Sequence, residues 1–256
     1  MSDTPTGSLD GHGSKTFRPL KLEPAYRRVA AAIAARIRDR SLPAGEALPP
    51  ELELANQLGV TRSTLREALR ELESLGLLAR RRGTKRMVVS RPDAAAVAAR
   101  VSDALALHDV TVAEVCAALL ILEPPIAELA ARAARAPQLR AIEAAAAAFA
   151  ASTDTPSALR AVNRFFEAVD AATGNPALQM AQRPLLPLLQ GSLRLVIDRV
   201  PQARARIALA QRRLCAACAA RDGAAAAEWM GKHVRDLRRG FEVAGIDLAT
   251  AVQPDA

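Results

Sequence analysis

Aromatic residues make up only 3% of this 256-residue chain, and it holds just three cysteines. No apolar run reaches the length of a membrane span without a charge. Each scarcity excludes something. An odd and small number of cysteines does not build a disulfide framework, so reduced thiols are expected. Without long apolar runs, a membrane protein is not expected. Residues Met1–Leu20 are Gly-, Ser-, Thr-, Pro- and Asp-rich and lack the apolar core of a signal peptide, so a cytoplasmic location is expected. A chain that is 50% hydrophobic yet poor in aromatics draws its apolar content from alanine and aliphatics. Alanine is the best helix former and strands favour aromatic and β-branched residues, so the fold is expected to be mainly α.

The charge of +8 is unevenly spread. Between Lys21 and Arg91 there are 15 basic and 8 acidic residues; from Pro92 to Ala256 there are 18 and 17. A basic excess confined to one segment points to nucleic acid more than a scattered one does, although a merely solvated face gives the same count. The organisation read from these shifts is a mobile tail over 1–20, a compact basic domain over 21–91, a linker or hinge helix over 92–104, an all-α domain over 105–248, and a second tail over 249–256. In the alanine-rich part, Pro137, Pro156, Gly174-Asn175-Pro176, Pro201, Gly223 and Gly245 fall at helix-like intervals. The alanine runs Ala144–Ala148 and Ala224–Ala227 read as tightly packed helix, because Leu139, Ile142 and Phe149 keep helical spacing around the first.

In the basic segment, Tyr26, Val29, Ile33 and Ile37 recur at steps of three or four and give a first helix an apolar stripe. Pro49-Pro50 presets a second, with Glu51 and Glu53 at its positive end and Leu54, Ala55 and Leu58 as its apolar face. Gly59 breaks it. Thr61 suits the N-cap of a third helix, whose Leu65, Leu69 and Leu72 face inward and which Gly76 stops. Residues 77–80 and 86–90 then read as a two-stranded wing. Two helices joined by a tight glycine turn suit a helix-turn-helix, whose second helix enters the major groove with its first turn. Arg62 and Arg66 match the guanine acceptors there. Thr61, Ser63 and Thr64 match phosphates, as do Arg81, Arg82, Lys85 and Arg86 around Gly83 at the wing tip.

This segment resembles the winged-helix domain of GntR-type transcriptional regulators through Pro43-Ala44-Gly45, Leu48-Pro49, Glu51, Glu53-Leu54-Ala55, Leu58 to Arg62, Leu65 to Leu69, Leu72 and Gly76-Leu77. It departs from the pattern at Pro50, usually serine, and at Leu52, usually an arginine that helps read DNA. The remainder resembles the all-helical effector domain of the FadR-type subfamily through Val115 to Pro124, Ala127–Ala134, Phe165 with Gly174-Asn175-Pro176, and Met230–Val234.

That second resemblance implies a ligand pocket, and in many members a metal held by an aspartate, a histidine four residues on, and two further histidines. Here those positions hold Val162, Phe166, Gln211 and His233, so no metal and no cofactor are expected. A shift of one residue would offer Asn163 and Glu167 instead. Leu119 stands where an arginine commonly grips acidic ligands. An apolar pocket of Leu119, Val162, Phe165, Phe166 and Trp229, with Gln211 and His233 as polar handles, suits a hydrophobic or aromatic acid or its acyl thioester. The same residues could equally close a core. Cys215-x-x-Cys218 has no second pair and reads as buried thiols. Arg235, Arg238 and Arg239 suit the dipole at the end of the last helix. With no nucleophile elbow and no phosphate loop, an enzyme is not expected. The expected function is that of a homodimeric, effector-responsive regulator, acting as a repressor on a near-palindromic double-stranded DNA operator. A ligand-independent architectural nucleic-acid binder is the alternative.

Overall fold

A computed structural model of the chain describes residues 23–81, 83 and 86–252. The expected tail over 1–20, together with Arg82 and Lys85, lies outside the described residues. The chain divides into two compact units between Pro92 and Asp93.

The first unit is a winged helix-turn-helix. Helix α1 (Ala25–Arg38) buries Val29, Ala30, Ile33 and Ala34. They pack in one core with Leu65, Ala68, Leu69 and Leu72 of α3 (Arg62–Ser74). Between them lies α2 (Glu51–Gln57), with Pro50 as its N-cap residue and Leu54 and Ala55 buried. Leu58, expected on that buried face, is exposed because it is already the capping residue where the helix ends. The turn to α3 is a Schellman motif: Gly59 N–H bonds the Asn56 carbonyl (3.2 Å) and Val60 N–H the Ala55 carbonyl (3.0 Å). It needs φ of +63° at residue 59, which glycine adopts without a Cβ penalty. The same motif closes α3 at Gly76 (φ +73°), with Leu77 N–H on the Leu72 carbonyl at 3.0 Å.

Strands β1 (Leu78–Arg80) and β2 (Met87–Val89) pair antiparallel as the wing, with Leu78 opposite Val89. Residues 45–48 lace onto the far side of β2: Leu48 N–H donates to the Met87 carbonyl (2.9 Å) and Val89 N–H to the Glu46 carbonyl (2.8 Å). The wing is thus tied to the segment that leads into α2.

The second unit is all helical: α4 (Ala94–Leu107), α5 (Val112–Ala133), α6 (Ala136–Ala150), α7 (Thr155–Ala172), α8 (Pro176–Gln182), α9 (Gln190–Arg199), α10 (Ala203–Ala219) and α11 (Gly223–Val243). The proline and glycine marks read from the sequence fall at or just beside these ends. Pro137 and Pro156 sit in the first turns of α6 and α7, Pro176 opens α8 and Gly223 opens α11. Helix α5 packs mainly on α11, and α6 on α7. Their contacts are lined with fully buried alanines, among them Ala127, Ala130, Ala158 and Ala226, which let helices approach closely. The few aromatics concentrate here, with Phe149, Phe165, Phe166 and Phe241 all buried.

Helix α5 runs unbroken through Pro124-Pro125. Residues 249–252, expected as tail, are tied to the start of α5. Val112 N–H bonds the Thr250 carbonyl (3.1 Å) and Val252 N–H the Val110 carbonyl (2.8 Å). No described helix is long and apolar enough to cross a membrane.

Candidate nucleic-acid interface and effector core

The N-terminus of α3 is built by Thr61, whose hydroxyl accepts from the Thr64 N–H (3.3 Å). The same oxygen lies 2.9 Å from the hydroxyls of both Ser63 and Thr64. The three hydroxyls therefore form one small cluster at the helix start. Arg62 and Ser63 are exposed beside it. Arg66 is also exposed, but it is held: its Nε lies 2.7 Å from Oε2 of Glu51 on α2. The pair is open to solvent and adds at most about 1 kcal/mol to stability, while it fixes where the guanidinium lies.

A cleft lined by Arg62, Arg66 and Arg86, with Leu52, Pro50 and Met87, opens on this face. The structure thus brings together three of the arginines read from the sequence. Arg81 and Gly83 lie exposed at the wing turn, where Arg81 N–H bonds the Arg86 carbonyl (3.1 Å). Arg80 leans back on Glu73 at 3.4 Å. Charged guanidinium groups gathered at the start of a surface helix, beside a short basic wing, form a surface suited to phosphate and base edges.

In the helical unit, Leu119, Val162, Phe165, Phe166, Gln211 and His233 are all buried. Phe166 stacks on the His233 imidazole (centroids 5.5 Å apart, planes at 18°) and meets Phe165 edge-on at 6.3 Å. Both side-chain polar atoms of Gln211, and Nε2 of His233, have no hydrogen-bond partner among the described residues. Burial pushes the His233 pKa down to about 4, so the ring is neutral near pH 7. Trp229 departs from the expected cluster. It is half-buried, with the Lys232 ammonium 4.6 Å and the Arg213 guanidinium 5.5 Å from its ring centroid. The ring packs against the helical core while the cations beside it keep their heads in water.

His233 also lines a cavity of about 40 Å³ between α9, α10 and α11. Val196, Val200, Ile207 and Leu237 form apolar walls, with Arg206 and Asp236, 3.6 Å apart, among its polar groups. The residues at the implied metal positions do not fit a metal ion. One imidazole and one amide, with a phenyl ring stacked on the imidazole, supply too few donors. The shifted pair is engaged elsewhere: Asn163 accepts from Gln190 (2.6 Å) and Glu167 pairs with Arg183 (3.6 Å).

Sequence reasoning missed a buried acid cluster. Glu123 on α5 accepts a hydrogen bond from Gln182 Nε2 (2.6 Å); its other oxygen, like Oδ1 of Asp170 on α7, has no partner among the described residues. Burial, then the neighbouring Asp170, raises the Glu123 pKa well above its ordinary value. Burial, then Glu167, raises Asp170 to about 7, against a lowering pull from Arg183. The signal was available. Glu123 interrupts the Leu119–Ala127 stripe, and Asp170 interrupts that of Val162 and Phe166. All three thiols are free and raised by burial, Cys116 to about 11 and Cys215 to about 12, which keeps them unreactive. Helix α11 extends to Val243, so Arg238 and Arg239 sit before its last turn. They pair with Glu242 at 3.9 and 2.8 Å instead of meeting the terminal carbonyls.

The fold and these two sites define a winged-helix protein with an all-helical second unit. Residues 25–88 match the family of bacterial regulatory proteins known as gntR, and residues 114–236 match the FCD domain. The chain therefore joins a GntR-family helix-turn-helix domain to an FCD domain. A solved structure of Streptococcus agalactiae GntR is 26% identical and superposes with a TM-score of 0.59 over 84% of this chain and 99% of that one. An uncharacterized HTH-type transcriptional regulator of Mycobacterium tuberculosis is 40% identical over 75 residues, 29% of this chain and 31% of that protein. The histidine utilization repressor of Pseudomonas aeruginosa is 45% identical over 60 residues, 23% and 24% of the two chains. These matches cover under a third of either relative.

Proposed function

We propose that the chain is a DNA-binding transcriptional regulator of the FadR subfamily, a repressor of a catabolic or transport operon that responds to a small effector. The observation that carries this reading is the gathering of Arg62, Arg66 and Arg86 around one cleft at the start of α3. The DNA set is Thr61, Arg62, Ser63, Thr64 and Arg66 with the wing residues Arg81, Arg82, Gly83, Lys85 and Arg86. A symmetric homodimer places two such helices on the half-sites of a near-palindrome. Repression is supported by the kinship of the first domain to a relative named as a repressor.

Selection of duplexes from fragmented genomic DNA by the purified chain is expected to enrich one near-palindromic sequence. Its affinity should fall steeply with salt, because phosphate contacts release counterions. Recovery of the fragments without enrichment overturns the reading.

The effector site is proposed at the core of the FCD domain, around His233 and Gln211. Their unpartnered polar atoms are the handles a ligand would satisfy, and the surrounding Leu119, Val162, Phe165 and Phe166 favour an apolar body. An effector that biases the placement of the two heads through residues 91–98 would change operator affinity roughly 5- to 150-fold, for a coupling of about 1–3 kcal/mol. In a thermal-shift screen, aromatic and aliphatic acids or their thioesters are expected to raise the melting temperature. Stabilisation by small polar acids alone overturns the apolar assignment.

A further inference from the structure

We infer that Leu52 reads a thymine through its methyl group and so sets one base pair of the operator. The inference rests on the DNA-binding reading above and deepens it.

Leu52 is 56% exposed on the first turn of α2, while Leu54 and Ala55 supply that helix with its buried contacts. Packing therefore does not require a leucine at this position. A single exposed leucine needs no explanation by itself. This one lies in the cleft of about 350 Å³ that also holds Arg62, Arg66 and Arg86. Its chain neighbour Glu51 carries the Arg66 guanidinium at 2.7 Å, so the cation that meets a guanine is anchored one residue from the leucine. A duplex engaged by these arginines brings its major groove over Leu52.

The side chain has neither donor nor acceptor, so it cannot read a base edge by hydrogen bonding. The one apolar group that the major groove offers is the C5-methyl of thymine. Cytosine at the same place lacks that methyl and presents an amino donor, which a leucine would strip of water without replacing its bond. The contact therefore favours A·T over G·C at a pair next to the one Arg66 engages.

Uracil scanning tests this on the wild-type chain. In the selected duplex each thymine is replaced in turn by uracil, which deletes only the methyl, and affinity is followed by fluorescence anisotropy. At one position in each half-site, uracil is expected to weaken binding roughly fourfold, the worth of one methyl removed from water. Leu52→Ala is expected to bind the thymine and uracil duplexes equally at that position and to keep wild-type sensitivity elsewhere. Leu52→Arg is expected to move the preference there toward G·C. Because residue 52 is exposed, neither variant should melt at a different temperature.

If Leu52→Ala retains the full uracil sensitivity of the wild-type chain, or if no thymine is sensitive, the inference is overturned and the DNA-binding reading stands. If the wild-type chain selects no duplex at all, both fall together.

Discussion

Replacing Arg62 and Arg66 together by alanine reduces binding to the selected operator on the order of a hundredfold or more, to the level of random duplex. Each arginine that forks onto a guanine contributes roughly 1–3 kcal/mol of discrimination, and the two act on different bases. The loss at Arg66 is compounded. Glu51, now balanced by Arg66 at 2.7 Å, becomes an unpaired carboxylate facing the DNA. A further Glu51→Gln change in that background therefore restores part of the affinity. Arg66→Lys does not restore specificity, because an ammonium cannot fork onto two acceptors. Folding and self-association are expected to be unchanged. Both side chains are exposed, and the buried face of α3 is made by Leu65, Ala68, Leu69 and Leu72. Footprinting checks the result, and an unaltered footprint in the double variant removes α3 from the role of reader.

The second expected result concerns pH. Asp170 sits near pKa 7 in the fold and near 4 when unfolded, so the unfolded chain gives up its proton first as pH rises. Stability from the neutral carboxyl is present below pH 4 and is lost between 4 and 7. Glu123, also raised, adds to the same trend. His233 works in the opposite sense. Its folded pKa is about 4 against 6.5 unfolded, so its stability is present above 6.5 and is lost as pH falls toward 4. Across that window the two carboxyls outweigh the imidazole that opposes them, and wild-type stability falls as pH rises.

Asp170→Asn removes one of the two carboxyls and leaves Glu123 opposing His233. At pH 7 it is expected to be more stable than wild type by roughly 2–4 kcal/mol, and its stability is then nearly level with pH from 4 to 6.5, because Glu123 and His233 offset each other. His233→Gln leaves the carboxyl slope alone, so stability falls over the same range. Denaturant unfolding followed by fluorescence reads this directly, because the chain has one tryptophan, Trp229, and it lies in the helical unit. Parallel profiles for wild type and Asp170→Asn would show that the buried carboxyl does not control the slope.

What the sequence made legible was local. The capping threonine, the glycines at the two Schellman turns, the inward leucines of α3 and the proline and glycine marks of the helical unit all act within a few residues of themselves, and all can be read from spacing. What it hid joins residues far apart in the chain. Residues 45–48 pair with β2 across some forty positions, and Glu51 finds Arg66 fifteen positions on. Gln182 reaches Glu123 from a different helix. Trp229 and His233, four residues apart, share one face of α11, but only His233 is fully buried. Spacing gives the face but not how deep each turn of the helix lies, and cations cover this ring. Leu52 departs from a family pattern within the sequence itself, while its exposure beside three arginines needs the fold.

The proline pair within α5 has a mechanical consequence. Prolines 124 and 125 bring no N–H, so the carbonyls of Leu120 and Ile121 lose their partners in the helix ladder, and each ring crowds the turn before it. At that point α5 has little stiffness of its own. Its continuity is supported by the helix it packs against most, α11. The two helices thus form a braced beam, in which α11 splints an α5 that is weakest one residue from the buried Glu123.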